Sequence, residues 1–262
     1  MDLHGRTALV TGGAGGLAGA ITRALAAEGV DLILSDLPTA PVDERIAELR
    51  ALGVRATAVA ADLTEPGQAT RLAETAGAVD ILVNNAGVEF TGPFISRDVP
   101  SLEREVQVNL LAPMLLTHAL LPGMLERGRG NIVNVASIAG KLALPYFAAY
   151  VATKSGLAAF TRSLSAEYGS DPVAFSTVFP GLIRGAGMGA TISRSERATR
   201  TPQDVGAAVV KAIRENRLEI VVSAQRTTLP SVVSALAPRL GVRAMRRMRP
   251  QLTRLLERLE RA

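Results

Sequence analysis

The chain has no cysteine in its 262 residues, so it can form no disulfide, thiolate nucleophile or cysteine-ligated zinc site. Histidine is almost as scarce. His4 and His118 stand far apart, and each reads as a surface or core side chain rather than a metal ligand. No metal is expected. The opening residues Met1-Asp2-Leu3-His4-Gly5-Arg6 lack a basic region followed by an apolar run, so no export signal is visible. No run of about twenty apolar residues free of charge is evident, which argues against a membrane span. The cytoplasm is the expected location. An excess of one charge is also missing from most of the chain. The formal net charge is +5, but Arg239, Arg243, Arg246, Arg247, Arg249, Arg254, Arg258 and Arg261 against Glu257 and Glu260 give residues 238–262 a local +6, which leaves −1 for the rest. The basicity belongs to the tail, and no nucleic-acid partner is expected.

What is present is ordinary globular material, 48% apolar and 20% charged, unlike a disordered chain. A chain of this length buries roughly three quarters of its unfolded surface and needs no staple. Strands are expected over Thr7–Val10, Asp31–Ser35, Arg55–Ala60, Ile81–Val83, Asn131–Val135, Ala174–Phe179 and Glu219–Val222. Helical patterns fall between them, near 16–28, 41–52, 66–76, 102–127, 148–168 and 202–215. Alternation of this kind implies an α/β fold: a Rossmann-type, doubly wound parallel sheet with helices on both faces, because parallel strands need crossovers. The strands are short and apolar on both faces, as such a sheet demands. No repeat, low-complexity segment or linker interrupts the pattern. One dinucleotide-binding and catalytic domain is expected over 1–225, followed by a basic, helical extension over 226–262.

The first strand runs into Thr11-Gly12-Gly13-Ala14-Gly15-Gly16-Leu17-Ala18-Gly19 and then directly into a helix. Glycines there let the chain turn sharply and let backbone N–H groups approach a pyrophosphate, whose charge the helix N-terminus favours. A bare structural turn could look alike, but the position between first strand and helix points to a dinucleotide. Asp36 ends the second strand, 20 residues beyond Gly16. A carboxylate at that place can accept hydrogen bonds from the adenosine ribose of NAD, and it repels the 2′-phosphate of NADP. No arginine or lysine lies in the glycine loop or just after Asp36, so NAD is expected in preference to NADP.

Tyr150-Val151-Ala152-Thr153-Lys154 sets a phenol and an ammonium four residues apart on one helix face. A free phenol, with a pKa near ~10, is a poor base at neutral pH. A neighbouring cation stabilises the phenolate and lowers that value. Tyr150 could then give a proton to a carbonyl oxygen, or take one from an alcohol.

Together these segments resemble the short-chain dehydrogenases/reductases. The glycine loop is similar to that family's TGxxxGxG motif at Thr11, Gly12 and Gly16, with Ala18 in place of the last glycine. The resemblance implies cofactor contacts from Thr11, Gly12, Gly15, Gly16, Leu17, Asp36 and Leu37. It implies adenine contacts from Asp62 and Leu63, and a role for Asn84-Asn85-Ala86-Gly87 in supporting the central sheet and lining the cofactor. It implies a catalytic tetrad of Asn109, Ser137, Tyr150 and Lys154. Ser137, 13 residues before Tyr150, would bond the substrate oxygen, and Asn109 would hold a water linking Lys154 to solvent. Tyr150 and Lys154 would also reach the cofactor, and Pro180, Gly181 and Ile183 would cover its nicotinamide. A threonine usual a few residues later is replaced by Gly185, and Thr191 could serve from farther along. The implied reaction is hydride transfer between a nicotinamide cofactor and a carbonyl/alcohol carbon.

Val88, Phe90, Phe94 and the stretch Ile138–Phe147 would line the pocket, and the apolar run Leu142–Phe147 favours an apolar or bulky small-molecule substrate. Residues 184–201 read as a lid, whose Arg184, Arg194, Arg197 and Arg200 are either solvated or aimed at an acidic substrate group. In the tail, Leu252, Leu255, Leu256 and Leu259 form an apolar stripe opposite Arg254, Arg258 and Arg261, and Pro238 and Pro250 are expected to break the helical pattern. Three readings of the tail stay open: packing against its own domain, a homodimer contact (a tetramer being the lesser expectation), or docking on an anionic membrane surface. Two other functional classes also stand, an NAD(H)-sensing binding protein that has lost catalysis and an NAD-dependent epimerase or dehydratase.

Overall fold

The computed structural model describes residues 1–169, 172–185, 200–223, 234 and 236–260, with the backbone alone for 248, 251 and 254–260. Seven strands, β1 (Thr7–Thr11), β2 (Asp31–Asp36), β3 (Ala56–Ala60), β4 (Ile81–Asn84), β5 (Gly130–Val135), β6 (Val173–Pro180) and β7 (Glu219–Val222), form one sheet. Their order is β3-β2-β1-β4-β5-β6-β7, and every pairing is parallel. The order reverses between β1 and β4, the place where the carboxyl ends of such a sheet open a crevice.

Alternation along the strands divides the core between two faces. Ala8 and Val10 of β1, Ile81 and Val83 of β4, and Val133 of β5 meet α1 (Gly16–Ala26), α2 (Asp43–Ala51) and α7 (Pro202–Glu215) through Ile21, Leu25, Leu49, Val205 and Val209. Leu9, Leu82 and Ile132 point the other way, onto α3 (Gln68–Ala76) and α5 (Ala112–Glu126) at Leu72, Leu116 and Met124. Each fully buried leucine of this kind contributes about 1.5–3 kcal/mol as an upper estimate. The helix α6 (Ala148–Glu167) packs on β5 and β6 and carries two of the reactive side chains.

Three sequence expectations meet the structure here, and the first and third need correction. The stretch expected to be one helix over 102–127 begins at Val99, where Asp98 caps it by accepting the Ser101 N–H at 3.0 Å. It is then divided into α4 (Val99–Val106) and α5 by a widened π-type turn, Gln107–Leu111. Pro113 follows that turn and has no N–H to give, so the Asn109 carbonyl loses the donor a regular helix would supply. Second, an 18-residue window within this same span, Val99–Glu126, reaches a mean hydropathy of 1.5 and is apolar enough by composition alone to cross a membrane. Its Leu116, Leu120 and Met124 are instead buried against the sheet. Third, the tail helix α8 (Pro238–Glu260) starts at Pro238, where a missing N–H is harmless, and continues through Pro250. One lost backbone bond does not end a helix of 23 residues.

Candidate active site

The turn after β1 and the turn after β4 are laced together. Gly12 has φ +69°, and a Cβ there would lie 2.9 Å from Ala86 Cα, so the position demands glycine for both conformation and space. The Thr11 hydroxyl accepts the N–H groups of Asn85 and Ala86, each at 3.0 Å, and Asn85 Nδ2 returns a bond to the Thr11 carbonyl at 3.0 Å. Thr11 is thus buried behind the glycine loop, holding the Asn84–Gly87 turn rather than facing the cleft. The Ala18 methyl is fully buried in the core, which accommodates the departure from glycine. In the sheet beneath, Asn84 Nδ2 donates to Asn134 Oδ1 at 2.8 Å, and Asn134 Nδ2 donates to Thr161 Oγ1 at 2.9 Å, tying β4 through β5 to α6.

A cleft of about 550 Å³ opens at this switch point, lined by Gly12, Gly15, Gly16, Leu17, Asp36, Leu37, Asp62, Leu63, Asn85, Ala86 and Gly87, with Val88, Arg104 and Val108 at its side. Asp36 is fixed by two backbone donors, Ala14 N–H to Oδ2 and Leu37 N–H to Oδ1, both at 2.8 Å. Each oxygen keeps lone pairs for a further donor. Asp62 is held by the Thr64 hydroxyl at 2.7 Å and the Thr64 N–H at 2.9 Å. Those bonds hold its carboxyl below the usual range, with Arg104 assisting. A glycine cradle at a helix N-terminus with a fixed carboxylate at the next strand end fits a dinucleotide.

Ser137 follows β5, and its Oγ accepts the Ala139 N–H at 3.1 Å, which leaves its own proton available to another acceptor. The short turn Ile138–Lys141 lies against α6: Ser155 Oγ donates to the Gly140 carbonyl at 2.6 Å, and a Cβ on Gly140 would lie 2.9 Å from the Lys154 carbonyl carbon. Lys141 anchors the turn's other end to Glu219 of β7 at 2.6 Å. Tyr150 and Lys154 are both buried on one face of α6. Lys154 Nζ donates to the Val135 carbonyl at 3.0 Å and lies 5.9 Å from the centroid of the Tyr150 ring.

The electrostatics correct one expectation. Burial raises the Tyr150 phenol above its ordinary range, and Glu89 adds to the rise; the Ser137 hydroxyl opposes it only in part. The groups that act on the phenol besides burial are Glu89, Ser137 and Glu105, and Lys154 is not among them. Burial also lowers Lys154 to about 8, against the pull of Glu89.

Asn109 sits in the π-type turn with its side chain buried. Oδ1 accepts the Val88 N–H and Nδ2 donates to the Val88 carbonyl, both at 2.8 Å, while Nδ2 also reaches Thr153 Oγ1 at 3.3 Å. Four residues earlier on the same helical face, Glu105 accepts the Phe90 N–H at 2.9 Å, and Arg97 donates to the Phe90 carbonyl at 2.6 Å. Arg97 and Glu105 pair at 3.1 Å with almost no exposure of either side chain. Sequence reasoning missed Glu89, Arg97 and Glu105. Their one signal was the spacing of Glu105 and Asn109, which places both on one helix face. Phe94, expected at the pocket, is exposed instead.

Beyond the cleft's lining, β6 ends at Pro180, and the Gly181 N–H donates to the Val222 carbonyl at 2.9 Å. Ile183 is buried and bridges in parallel to Arg200. Gly185 has φ +67°, a conformation in which a threonine would be strained. Arg200 is engaged with Asp204 at 3.7 Å and the Ser223 carbonyl at 3.4 Å. Thr191, Arg194 and Arg197 lie outside the described residues, as do the side chains of Leu255, Leu256 and Leu259.

Residues 6–197 match the short chain dehydrogenase family. The ketoacyl reductase HetN of Nostoc sp. (strain PCC 7120) is 36% identical over 230 residues, covering 84% of this chain and 79% of that protein. The oxidoreductase UcpA of Escherichia coli (strain K12) is 36% identical over 222 residues, covering 82% of this chain and 83% of that one. Among solved structures, a 3-oxoacyl (acyl-carrier-protein) reductase of Agrobacterium tumefaciens C58 with NADP bound superposes with a TM-score of 0.79 at 28% identity, over 85% of this chain and 94% of the other.

Proposed function

The chain belongs to the short-chain dehydrogenase family of oxidoreductases, and from that premise we propose that it transfers a hydride between NAD(H) and the carbonyl/alcohol carbon of an apolar or bulky substrate. The observation that carries this reading is the meeting of Ser137, Tyr150 and Lys154 at the end of β5, the strand next to the glycine-lined cleft that opens at the carboxyl ends of β1 to β4. The bound cofactor supplies or accepts the hydride. Gly12, Gly15, Gly16 and the start of α1 would hold its pyrophosphate, and Asp36 its adenosine ribose. Tyr150, kept protonated by burial, is suited to give a proton to the substrate oxygen as an acid. Ser137, which accepts the Ala139 N–H, keeps its hydroxyl proton to give to the same oxygen. Lys154 donates at Val135 with one of its three protons and keeps two to orient the groups in front of it. The Asn109 backbone carbonyl, to which Pro113 can give no N–H, suits the water-holding role that the family resemblance implies.

What supports NAD is the doubly anchored Asp36 carboxylate at the ribose end. One observation favours NADP as a second reading: Arg104 lines the same cleft. The apolar cluster that Leu144, Tyr146 and Phe147 form with Tyr150 supports an apolar substrate. Exposed Val106, Leu111 and Met114 on α4, the turn and α5 support association of two copies. The test is a spectrophotometric screen of alcohols with NAD⁺ and NADP⁺, and of ketones with NADH and NADPH. Turnover with NAD(H) is expected. Stoichiometric NADH binding without any turnover would identify a sensor, and turnover of a nucleotide sugar without net NADH production would identify an epimerase.

A further inference from the structure

Lys141 closes the short turn that Ser137 opens, and its ammonium has no part in the proton and hydride movements described above. It reaches instead toward β6 and β7. Nζ donates to Glu219 Oε2 of β7 at 2.6 Å and lies 4.0 Å from the centroid of the Phe179 ring of β6. Phe179 is fully buried and packs in one cluster with Ala136, the residue just before Ser137. The Ala136 N–H donates to the Val178 carbonyl of β6 at 2.8 Å. Ser137 therefore lies between two attachments to the same strand, one through Ala136 and one through Lys141.

The turn between these attachments touches the reactive groups directly. Ser137 receives two of its N–H groups, Ala139 at the hydroxyl oxygen (3.1 Å) and Gly140 at the carbonyl (3.0 Å). Ala139 is buried in one apolar cluster with Phe147 and Tyr150. Gly140 meets the α6 backbone at Lys154 and Ser155 with no room for a methyl, and its carbonyl accepts the Ser155 hydroxyl at 2.6 Å. A displacement of Lys141 would thus pass to Ser137 and Tyr150 through atoms already in contact. With side-chain exposures of 23% and 27%, Lys141 and Glu219 are only partly screened by water, and the Phe179 face adds attraction for the ammonium. Arg162 of α6 takes the other carboxylate oxygen at 2.8 Å from a half-exposed position, and among the described residues it makes no hydrogen bond or ion pair to the turn.

We propose that Lys141 and Glu219 are positioning residues for the reaction: their ion pair, seated on the Phe179 ring, tethers the Ser137 turn to β6 and β7 and holds the Ser137 hydroxyl in place beside Tyr150. The tether takes its purpose from the hydride-transfer reading, but its first test needs no turnover. A hydroxyl that must meet a substrate oxygen together with a second proton donor tolerates little misplacement. Ser137 sits at the end of a strand, where no further ladder bond fixes the chain that follows. The ion pair supplies that restraint from the opposite end of the turn. Lys141 and Glu219 touch neither substrate nor cofactor in this scheme; they act through Ser137.

Hydrogen exchange of the Ala139 and Gly140 amides, followed by NMR on the full chain without cofactor, reads the turn directly. Lys141→Met keeps an unbranched stem over Phe179 and removes the charge. In it both amides should exchange about tenfold faster, while the amides of β1 and β4 keep their rates. Glu219→Gln should do the same, and it serves where Lys141→Met does not fold. Lys141→Arg should restore the protection, since a guanidinium can meet both the carboxylate and the ring. Arg162→Gln should leave both amides as in the wild type. Unchanged exchange in folded Lys141→Met or Glu219→Gln, or equal acceleration by Arg162→Gln, would overturn the proposal. Where turnover is measured, Lys141→Met should lower kcat about tenfold and leave the NADH dissociation constant unchanged. The double variant with Glu219→Gln should be no worse than either single one. Additive losses, or a loss of cofactor affinity in place of kcat, would mark a merely structural role and equally overturn it. Absence of turnover in the wild type would strike the hydride-transfer reading and leave the exchange result standing.

Discussion

The hydroxyl of Tyr146 lies 2.7 Å from that of Thr253, joining the loop before α6 to the C-terminal helix α8 across 107 residues of sequence. The directions of the bonds can be worked out. Thr253 gives its proton to the Arg249 carbonyl at 3.0 Å, and Arg249 Nε donates to the Tyr146 oxygen at 3.2 Å, so the phenol is the donor to Thr253. Tyr146 itself has φ +73°, which is strained for a residue with a side chain. Its carbonyl accepts the Gly92 N–H at 3.1 Å. One residue thus connects three segments on the substrate side, and Met245 of α8 is buried nearby, where α8 borders a groove of about 310 Å³ with Ala143–Pro145, Ala148 and Val151.

Removing residues 238–262 should therefore lower the melting temperature and raise KM for bulky substrates more than it changes kcat. The milder Tyr146→Phe should cost about 0.5–1.5 kcal/mol, with each kcal/mol read as about 2–4 °C. An unchanged melting temperature on truncation, together with salt-sensitive binding of the full chain to anionic vesicles, would make α8 a membrane-docking helix instead.

Tyr150→Phe should reduce kcat by about a hundredfold or more while leaving the NADH dissociation constant nearly unchanged, because the hydroxyl acts on the substrate oxygen. Lys154→Ala should damage both. Calorimetric NADH binding beside steady-state kinetics separates the two effects, and substantial turnover by Tyr150→Phe would mean that another group is the acid.

Asp36→Ala should narrow the ratio of kcat/KM between NAD(H) and NADP(H) by removing repulsion from the 2′-phosphate. It should also weaken NAD(H) use, since both carboxylate oxygens are positioned by the glycine loop and Leu37 to receive the ribose. A wild-type preference for NADP(H), lost on Arg104→Ala, would reverse the assignment.

Gly140→Ala places a methyl about where the Lys154 carbonyl carbon and the Ser155 nitrogen already sit, at 2.9 and 3.0 Å. Backbone cannot step aside as a side chain can. A loss of about 1–3 kcal/mol in unfolding free energy is expected, with a larger fall in kcat than in cofactor affinity, because the turn that sets Ser137 against Tyr150 is displaced. Equilibrium urea unfolding and kinetics together check it.

Stability should also carry a signature of Glu89. Its folded-state pKa of about 7 stands above the ordinary 4.5, so the folded chain binds that proton more tightly than the unfolded chain. The stabilisation is full below about 4.5 and is lost as pH rises through about 7. Between those values the wild type should lose melting temperature relative to Glu89→Gln. A gap that stays constant with pH in scanning calorimetry would contradict the shift.

Much of the molecule was legible in its residues. The seven strands followed from short apolar runs set between helical periods, and β2 and β5 fall within a residue of their expected bounds. Periodicity and turn chemistry are local, so they can be read without knowing the fold. Asn109 was legible through its cost: an asparagine in mid-helix needs a compensating use, and its side chain bonds both backbone groups of Val88. The same local rules overreached at Pro250, where the rest of a long helix outweighs one missing bond.

By itself, then, the sequence determined the parallel α/β architecture, the glycine turn, the carboxylate that ends β2 and the placing of Tyr150 and Lys154 on one helix face. Only the tertiary structure decided that Lys154 is buried within the influence of Glu89, that Arg97 is committed to Glu105, that the phenol rises rather than falls, and that Tyr146 is held by the tail. The reason is physical. Backbone hydrogen bonding and the alternation of burial depend on near neighbours in sequence, whereas the sign and size of a charge's effect depend on its depth and on which distant charges the fold brings against it.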